Sequence, residues 1–116
     1  MILRFRYSLV LLGVAFLSSV PCLEADESAR VDVFNKEALP FFKEHCFRCH
    51  GEKKQKGDFR IDDLSHEVGT KDTLLWAEVM EQISSGEMPP EKEKKRPTAE
   101  QGAVIVEWLA ARIKEG

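Results

Sequence analysis

The sequence predicts an all-α fold of about three main helices. Apolar side chains recur at helical spacing in three stretches: residues 33–44, a second stretch from Thr73, and a third from Thr98. Residues 58–64 alternate polar with apolar side chains, but this segment is too isolated to build a sheet. At 116 residues with 43% hydrophobic positions, the chain has room for one folded domain.

The first 25 residues are predicted to be a signal peptide that precedes this domain. Arg4 and Arg6 come before an apolar run at residues 8–17, and small residues follow it. A membrane-spanning helix needs roughly 20 apolar residues, and this run stops short of that length before Pro21. The pattern therefore favours a secretory signal over a membrane span.

We expect the signal peptide to be cleaved near Ala25, which leaves residues 26–116 as the mature domain. The predicted location is the periplasm or another exported compartment. An uncleaved segment would instead anchor the protein in the membrane. Acylation of Cys22 is a third alternative, although Pro21 stands where lipoprotein signals usually carry a small residue.

The first of the three stretches contains Pro40, which lacks a backbone donor and crowds the preceding turn. We expect a short helix over residues 33–44 that is kinked at Pro40 or begins near it. A charged loop is predicted from Gly51 to Gly57.

Capping and stop signals bound the other two helices. Asp72 or Thr73 can cap the second helix and Gly86 can end it, while Thr98 and Gln101 form a capping box for the third. The predicted apolar face of the second helix consists of Leu74, Leu75, Trp76, Val79, Met80 and Ile83. The predicted buried stripe of the third consists of Val104, Ile105, Trp108, Leu109 and Ile113.

The chemistry of the chain centres on Cys46, Cys49 and His50, which form the motif Cys-x-x-Cys-His. Two thiols at this spacing can each add to one vinyl group of a haem, and the adjacent imidazole can ligate the iron. The motif therefore predicts one covalently attached haem c per chain. The alternatives are a thioredoxin-like dithiol, which would need a βαβ context, and a zinc site, which would need further ligands such as His45 and His66.

Met88 is the predicted sixth ligand of the haem iron. It lies in a Gly-x-Met-Pro-Pro loop downstream of His50, and a thioether ligand raises the reduction potential of haem iron. Packing of Met88 in the core is one alternative. Ligation by His66 in its place is another, whereas His45 is interpreted as a helix-end residue with no role at the iron.

The chain is rich in aromatic side chains for its length. Because a small domain buries little surface, we expect these rings to cover the haem and the haem-free chain to be largely unfolded. The rings are Phe41, Phe42, Phe47, Phe59, Trp76 and Trp108.

The net charge of −3 argues against nucleic-acid binding, which depends on clustered Lys and Arg. Two lysine clusters nevertheless follow the haem motif and Met88, at residues 53–56 and 92–96. These clusters suggest that the protein attracts an acidic redox partner, whose identity the sequence does not give. The alternative is that they form a solvated loop surface without a role in binding.

Several segments together resemble the planctomycete-type cytochrome c domain. They are the run Leu-Pro-Phe-Phe-Lys-Glu-His-Cys-Phe-Arg-Cys-His-Gly at 39–51, Lys-Gly-Asp-Phe-Arg-Ile-Asp at 56–62, Trp-Ala-Glu-Val at 76–79, Gly-Glu-Met-Pro-Pro at 86–90 and Val-Glu-Trp-Leu at 106–109. The resemblance implies a cytochrome c-like fold, thioethers at Cys46 and Cys49, and axial ligation by His50 and Met88. In that family the domain usually opens a longer protein, so we expect a stand-alone carrier or a truncated piece.

The expected function is electron transfer by a single-haem cytochrome, with no enzymatic turnover. A haem-based binding or sensing module, in which Met88 leaves the iron and a small molecule enters, is the alternative. No membrane span is expected after the signal is cleaved.

Overall fold

The computed structural model describes residues 24–116, with side chains from residue 27 onwards. The predicted signal peptide lies outside the residues with described side chains. Three helical segments dominate, which confirms the predicted mainly helical fold. The first joins α1 (Glu24–Val33), a π-helical turn (Phe34–Ala38) and α2 (Leu39–His45); the second is α3 (Thr73–Ser84) and the third is α4 (Ala99–Glu115).

A π-helical turn accommodates Pro40 in the first segment. The N–H of Leu39 donates to the Phe34 carbonyl, five residues back, and Pro40 follows as the second residue of α2. Proline is tolerated at the start of a helix because its missing N–H has no partner there. The structural change near Pro40 was predicted, but the helix extends back to Glu24 and is longer than expected.

A small antiparallel pair of strands follows the haem motif, where the sequence predicted a loop. Strand β1 (His50–Gly51) pairs with β2 (Lys54–Gln55), and a short 3-10 helix (Lys56–Asp58) comes next. The N–H of Lys56 also donates to the Cys49 carbonyl at 2.9 Å. The strand pair reverses the direction of the chain, so that residues 54–56 lie beside Cys49 and His50.

The core is built around Trp76, which is fully buried on α3. Its Nε1 donates to the Ser65 carbonyl at 2.8 Å, and its ring lies 5.3 Å from Phe42 and 5.6 Å from Phe34 between centroids. Contacts between these rings join the first helical segment to α3. The other buried apolar side chains are Ala38, Phe41, Ile61, Leu64, Val68, Val79, Ile105 and Leu109.

Three residues of the predicted apolar faces are exposed instead of buried. Leu74 is 82% exposed, Val104 is 64% exposed and Leu75 is 37% exposed, so their prediction as part of a buried face is wrong. At about 100° per residue, Leu74 lies on the opposite side of α3 from Trp76. Burial follows the narrower face that packs between α3 and α4.

The predicted caps of the last two helices are confirmed in part. The capping box is confirmed: Gln101 N–H donates to Thr98 Oγ1 at 3.1 Å, and Thr98 N–H donates to Gln101 Oε1 at 2.9 Å. Asp72 stands at the N-terminus of α3, but its carboxylate accepts from Ser65 N–H instead of capping the helix. None of the helices within residues 24–116 combines the length and apolar character of a membrane span.

Candidate haem site

The Cys-x-x-Cys-His motif forms a tight turn at the end of α2. Cys46 N–H donates to the Phe42 carbonyl at 2.9 Å and so continues the helix. Cys49 N–H and His50 N–H then both donate to the Cys46 carbonyl, at 3.1 and 3.0 Å. All three motif side chains are half-buried. The backbone therefore brings both thiols and the imidazole to one short stretch of surface.

Gly51 allows the chain to leave this turn. A Cβ atom at this position would lie 2.4 Å from the Phe47 carbonyl oxygen, which is too close for any other residue without a backbone shift. The next link is a hydrogen bond from Ile61 N–H to the His50 carbonyl at 2.9 Å. The turn is thus held on both sides of His50.

The imidazole of His50 is oriented by a backbone carbonyl. Its Nδ1 lies 3.3 Å from the Phe59 carbonyl oxygen, and the two rings meet edge to face at 5.6 Å. A carbonyl can only accept, so Nδ1 carries the proton and Nε2 keeps its lone pair. This is how proteins commonly fix the tautomer of a metal-binding histidine.

Two cavities share Cys46, His50 and Met88 in their walls. One, of about 440 Å³ and here named the motif cavity, also borders Cys49, the end of α2, and residues 89–90 and 93–95. The other, of about 220 Å³ and here named the α3 cavity, is walled by Phe59, Ile61 and residues of α3. Three of the four predicted haem-binding residues therefore border both spaces, and the fourth borders the larger one.

Met88 reaches these cavities from the loop after α3. Its N–H donates to the Gln82 carbonyl at 3.1 Å, and Pro89 next to it is buried. The Met88 side chain is 38% exposed, so it is not a core residue as one of the alternatives proposed. Ile83 and Val79 provide apolar walls beside it.

His45 at the end of α2 and Arg48 in the following turn both bind the loop that follows Met88. His45 Nδ1 lies 2.8 Å from the Lys95 carbonyl, and the His45 side chain is only 5% exposed. Arg48 forms an ion pair with Glu93. Neither link could be predicted from the sequence, because contacts between residues about 45 to 50 positions apart do not follow from local spacing.

His66 is placed elsewhere. Its ring stacks on Phe34 at 4.1 Å, and it borders a separate cavity with Trp108 and Arg112. Burial holds the pKa of His66 below its ordinary value. Neither the haem motif nor Met88 borders that cavity, so the alternative of His66 as sixth ligand finds no support in the geometry.

The two motif cysteines are free thiols in this structure. Burial, followed by the proximity of Cys49, raises the pKa of Cys46 to about 12, so Cys46 is a neutral thiol at physiological pH. A zinc site needs four ligands. Among residues 24–116, no three or more His, Cys, Asp or Glu side chains come together in a way that could hold a metal ion.

Aromatic packing differs from the expectation. Of the six rings that the sequence placed around a haem, Phe59 is the one that borders the motif or α3 cavity. Phe42 and Trp76 are fully buried in the protein core instead. The hydrophobic core and the haem site are therefore separate, neighbouring regions, and most of the six rings pack in the core.

A mainly helical domain with a Cys-x-x-Cys-His turn at a helix end is the arrangement of a c-type cytochrome. Residues 46–92 match the family model described as planctomycete cytochrome C. This match supports a planctomycete-type cytochrome c domain, the family that the sequence resembles. The matched region runs from the first motif cysteine through the Met88 loop. Comparison with curated proteins gave no significant match, and comparison with solved structures gave none either.

Proposed function

We propose that this protein is a single-haem c-type cytochrome that carries electrons in an exported compartment and catalyses no substrate turnover. The observation that carries the proposal is the hydrogen bond from His50 Nδ1 to the Phe59 carbonyl, beside cavities that His50 shares with Cys46 and Met88. This bond leaves Nε2 of His50 as a ligand for iron.

The residues present fit a covalently bound haem. Cys46 and Cys49 supply two free thiols at the sequence spacing of the haem-attachment motif, and His50 supplies an oriented imidazole. Met88 supplies a soft sulfur from a separate loop. When bound, the haem supplies an iron that exchanges one electron between its ferric and ferrous states.

The protein's own contribution is to hold ligands in place and to limit the access of water. The Phe59 carbonyl fixes the His50 ring, and the Ile61 N–H fixes the His50 backbone. Ile61, Val79 and Ile83 present apolar surface to the α3 cavity. A rigid ligand set with apolar walls favours electron transfer because little has to rearrange when the charge changes.

The test is production of the full chain together with a haem-attachment system, followed by intact mass and visible spectroscopy. We expect one haem per chain, retained under denaturing conditions, and loss of covalent attachment in Cys46→Ala/Cys49→Ala. Replacing Met88 by Ala should abolish the long-wavelength charge-transfer band of a methionine-ligated ferric haem. The matched control is Met80→Ala, which removes another methionine from the same region. A colourless, folded chain would refute the proposal.

The exposure of Met88 favours one alternative function. A ligand that is 38% exposed is a candidate for displacement, as a sensing or binding module would need. Carbon monoxide distinguishes the two functions: the ferrous carrier should bind it slowly and incompletely, whereas a sensor should bind it rapidly with a full spectral shift. The Met88→Ala variant provides the spectrum of the open site for comparison.

A further inference from the structure

A separate cavity lies away from the haem site, between the first helical segment, the loop at residues 66–70 and the end of α4. Its volume is about 220 Å³, and it is here named the His66 cavity. His66, Val68, Trp108 and Arg112 are among the residues that border it. The proposed haem function leaves this cavity without a role.

The walls of the His66 cavity are held by contacts within the protein. The ring of His66 stacks on the buried ring of Phe34 at 4.1 Å between centroids, and the ring of Trp108 lies 5.8 Å from the same phenylalanine. Gly69 approaches α4 so closely that a Cβ atom there would lie 2.3 Å from the Arg112 carbonyl oxygen. The cavity is therefore preformed, as small-molecule sites usually are.

Arg112 brings an unused hydrogen-bond donor to this cavity. One of its terminal nitrogens donates to Glu115 Oε1 at 2.7 Å, whereas its Nε is buried and has no hydrogen-bond partner in the part of the chain that the structure describes. The guanidinium carbon lies 5.9 Å from the centroid of the Trp108 ring. Because a buried donor without an acceptor is unfavourable, a ligand with a carbonyl oxygen would satisfy this Nε–H beside an aromatic surface.

The charges around the His66 cavity are balanced, which favours a neutral ligand. Three carboxylates and two guanidinium groups border the cavity: Glu27, Glu67, Glu115, Arg30 and Arg112. Lys71 supplies the third cation, because it pairs with Glu67 at 2.7 Å. Burial lowers the pKa of His66, so its imidazole adds no charge at physiological pH. An ion would enter without an opposite charge to compensate it, and burial of such an ion is costly.

We propose that the His66 cavity binds a small, neutral aromatic compound whose carbonyl oxygen accepts a hydrogen bond from Arg112 Nε–H. A cavity of about 150 Å³ can hold a benzene ring, so the volume of about 220 Å³ is enough for one ring with a short polar substituent. An aryl carboxamide has this chemistry: its carbonyl suits Arg112, and its N–H groups suit the carboxylates at the border. The site is separate from the haem, so its occupation does not depend on electron transfer.

The test titrates the reduced, haem-loaded protein with benzamide and follows the side-chain N–H signals of Arg112 and Trp108 by nitrogen–proton correlation NMR. We expect both signals to shift saturably, with half-saturation at about 1 mM, as befits a ligand of few atoms. Arg112→Lys keeps the positive charge but removes the Nε–H, and should weaken binding about tenfold at the Trp108 signal. The matched control is Arg60→Lys, because Arg60 also pairs with a carboxylate but does not border this cavity. It should bind benzamide as the wild type does.

Two ligands of the same shape test the charge argument in the wild type, so this arm does not depend on whether a variant folds. Benzoate is an anion and benzamidinium is a cation, and we expect each to bind about tenfold more weakly than benzamide. Equal or tighter binding of either ion would overturn the proposal of a neutral ligand. Absence of a saturable Arg112 shift with benzamide would overturn the site itself. So would unchanged binding in an Arg112→Lys protein with an intact haem spectrum.

Discussion

His45 illustrates what single residues do in this protein beyond the haem motif. It immediately precedes Cys46, ends α2, and is almost completely buried. Its ring contacts the Lys95 carbonyl at 2.8 Å and lies 4.9 Å from the ring of Phe41. We therefore interpret His45 as a positioning residue for the loop that carries Met88.

Replacing His45 by Ala should loosen this loop. The lost hydrogen bond contributes about 1 kcal/mol, and Met88 should then leave the iron more readily. The measurement is the rate at which imidazole binds the ferric protein, which we expect to increase severalfold. Glu37→Ala, which removes an exposed side chain from the same helical segment and does not border the motif cavity, is the control. An unchanged binding rate in His45→Ala would show that the loop is positioned without this contact.

His66 makes stability depend on pH. Burial lowers the pKa of His66 in the folded protein. As the pH falls through the ordinary histidine pKa of about 6.5, the unfolded chain therefore binds more protons than the folded protein. The contribution of neutral His66 to the free energy of unfolding is complete above that pH and declines below it.

The experiment compares chemical unfolding of the haem-loaded wild type and His66→Phe between neutral and mildly acidic pH. The phenylalanine keeps a ring against Phe34 but cannot take up a proton. We expect the wild type to lose more stability than the variant on acidification. Parallel curves for the two proteins would contradict the role assigned to His66.

At the scale of elements, helix ends and turns carry the strongest local signals. The Thr98 and Gln101 side chains satisfy each other's backbone donors, and Gly51 is required by contact with the Phe47 carbonyl. The role of Asp72 was less predictable. The Asp72 carboxylate accepts a hydrogen bond from the N–H of Ser65, a residue outside α3.

Replacing Thr98 by Ala should destabilise the protein by about 1 kcal/mol, because α4 loses its side-chain cap. For a domain of this size the melting temperature should fall by about 4–8 °C. Thr98→Ser, which keeps the hydroxyl, should remain close to wild type. A Thr98→Ala protein with unchanged thermal unfolding would mean that packing of α4 outweighs the cap.

At the scale of the whole molecule, the domain has a protein core beside a site with one apolar wall. Phe42 and Trp76 are buried by protein alone, whereas Phe59, Ile61, Val79 and Ile83 border the α3 cavity. Without haem, these cavity walls face water. Because a small domain has a limited margin of stability, we expect the haem-free chain to be largely unfolded.

The check is near-ultraviolet circular dichroism of the chain produced without haem attachment. We expect weak signals from Trp76 and Trp108 compared with those of the haem-loaded protein. The matched comparison is Cys46→Ala/Cys49→Ala with and without added haem. Native-like signals in the haem-free chain would show that the protein core is sufficient for folding.

The amino-acid sequence by itself determined the helical class, the motif at Cys46, Cys49 and His50, the Met88 loop and the Thr98 cap. These features depend on residues close together in the chain, where spacing fixes geometry. Tertiary structure decided the rest: the Phe59 carbonyl as the partner of His50, the His45 contact with Lys95, and the separate place of His66. Each of these depends on which distant segments meet, and that is set by burial of the whole core around Trp76.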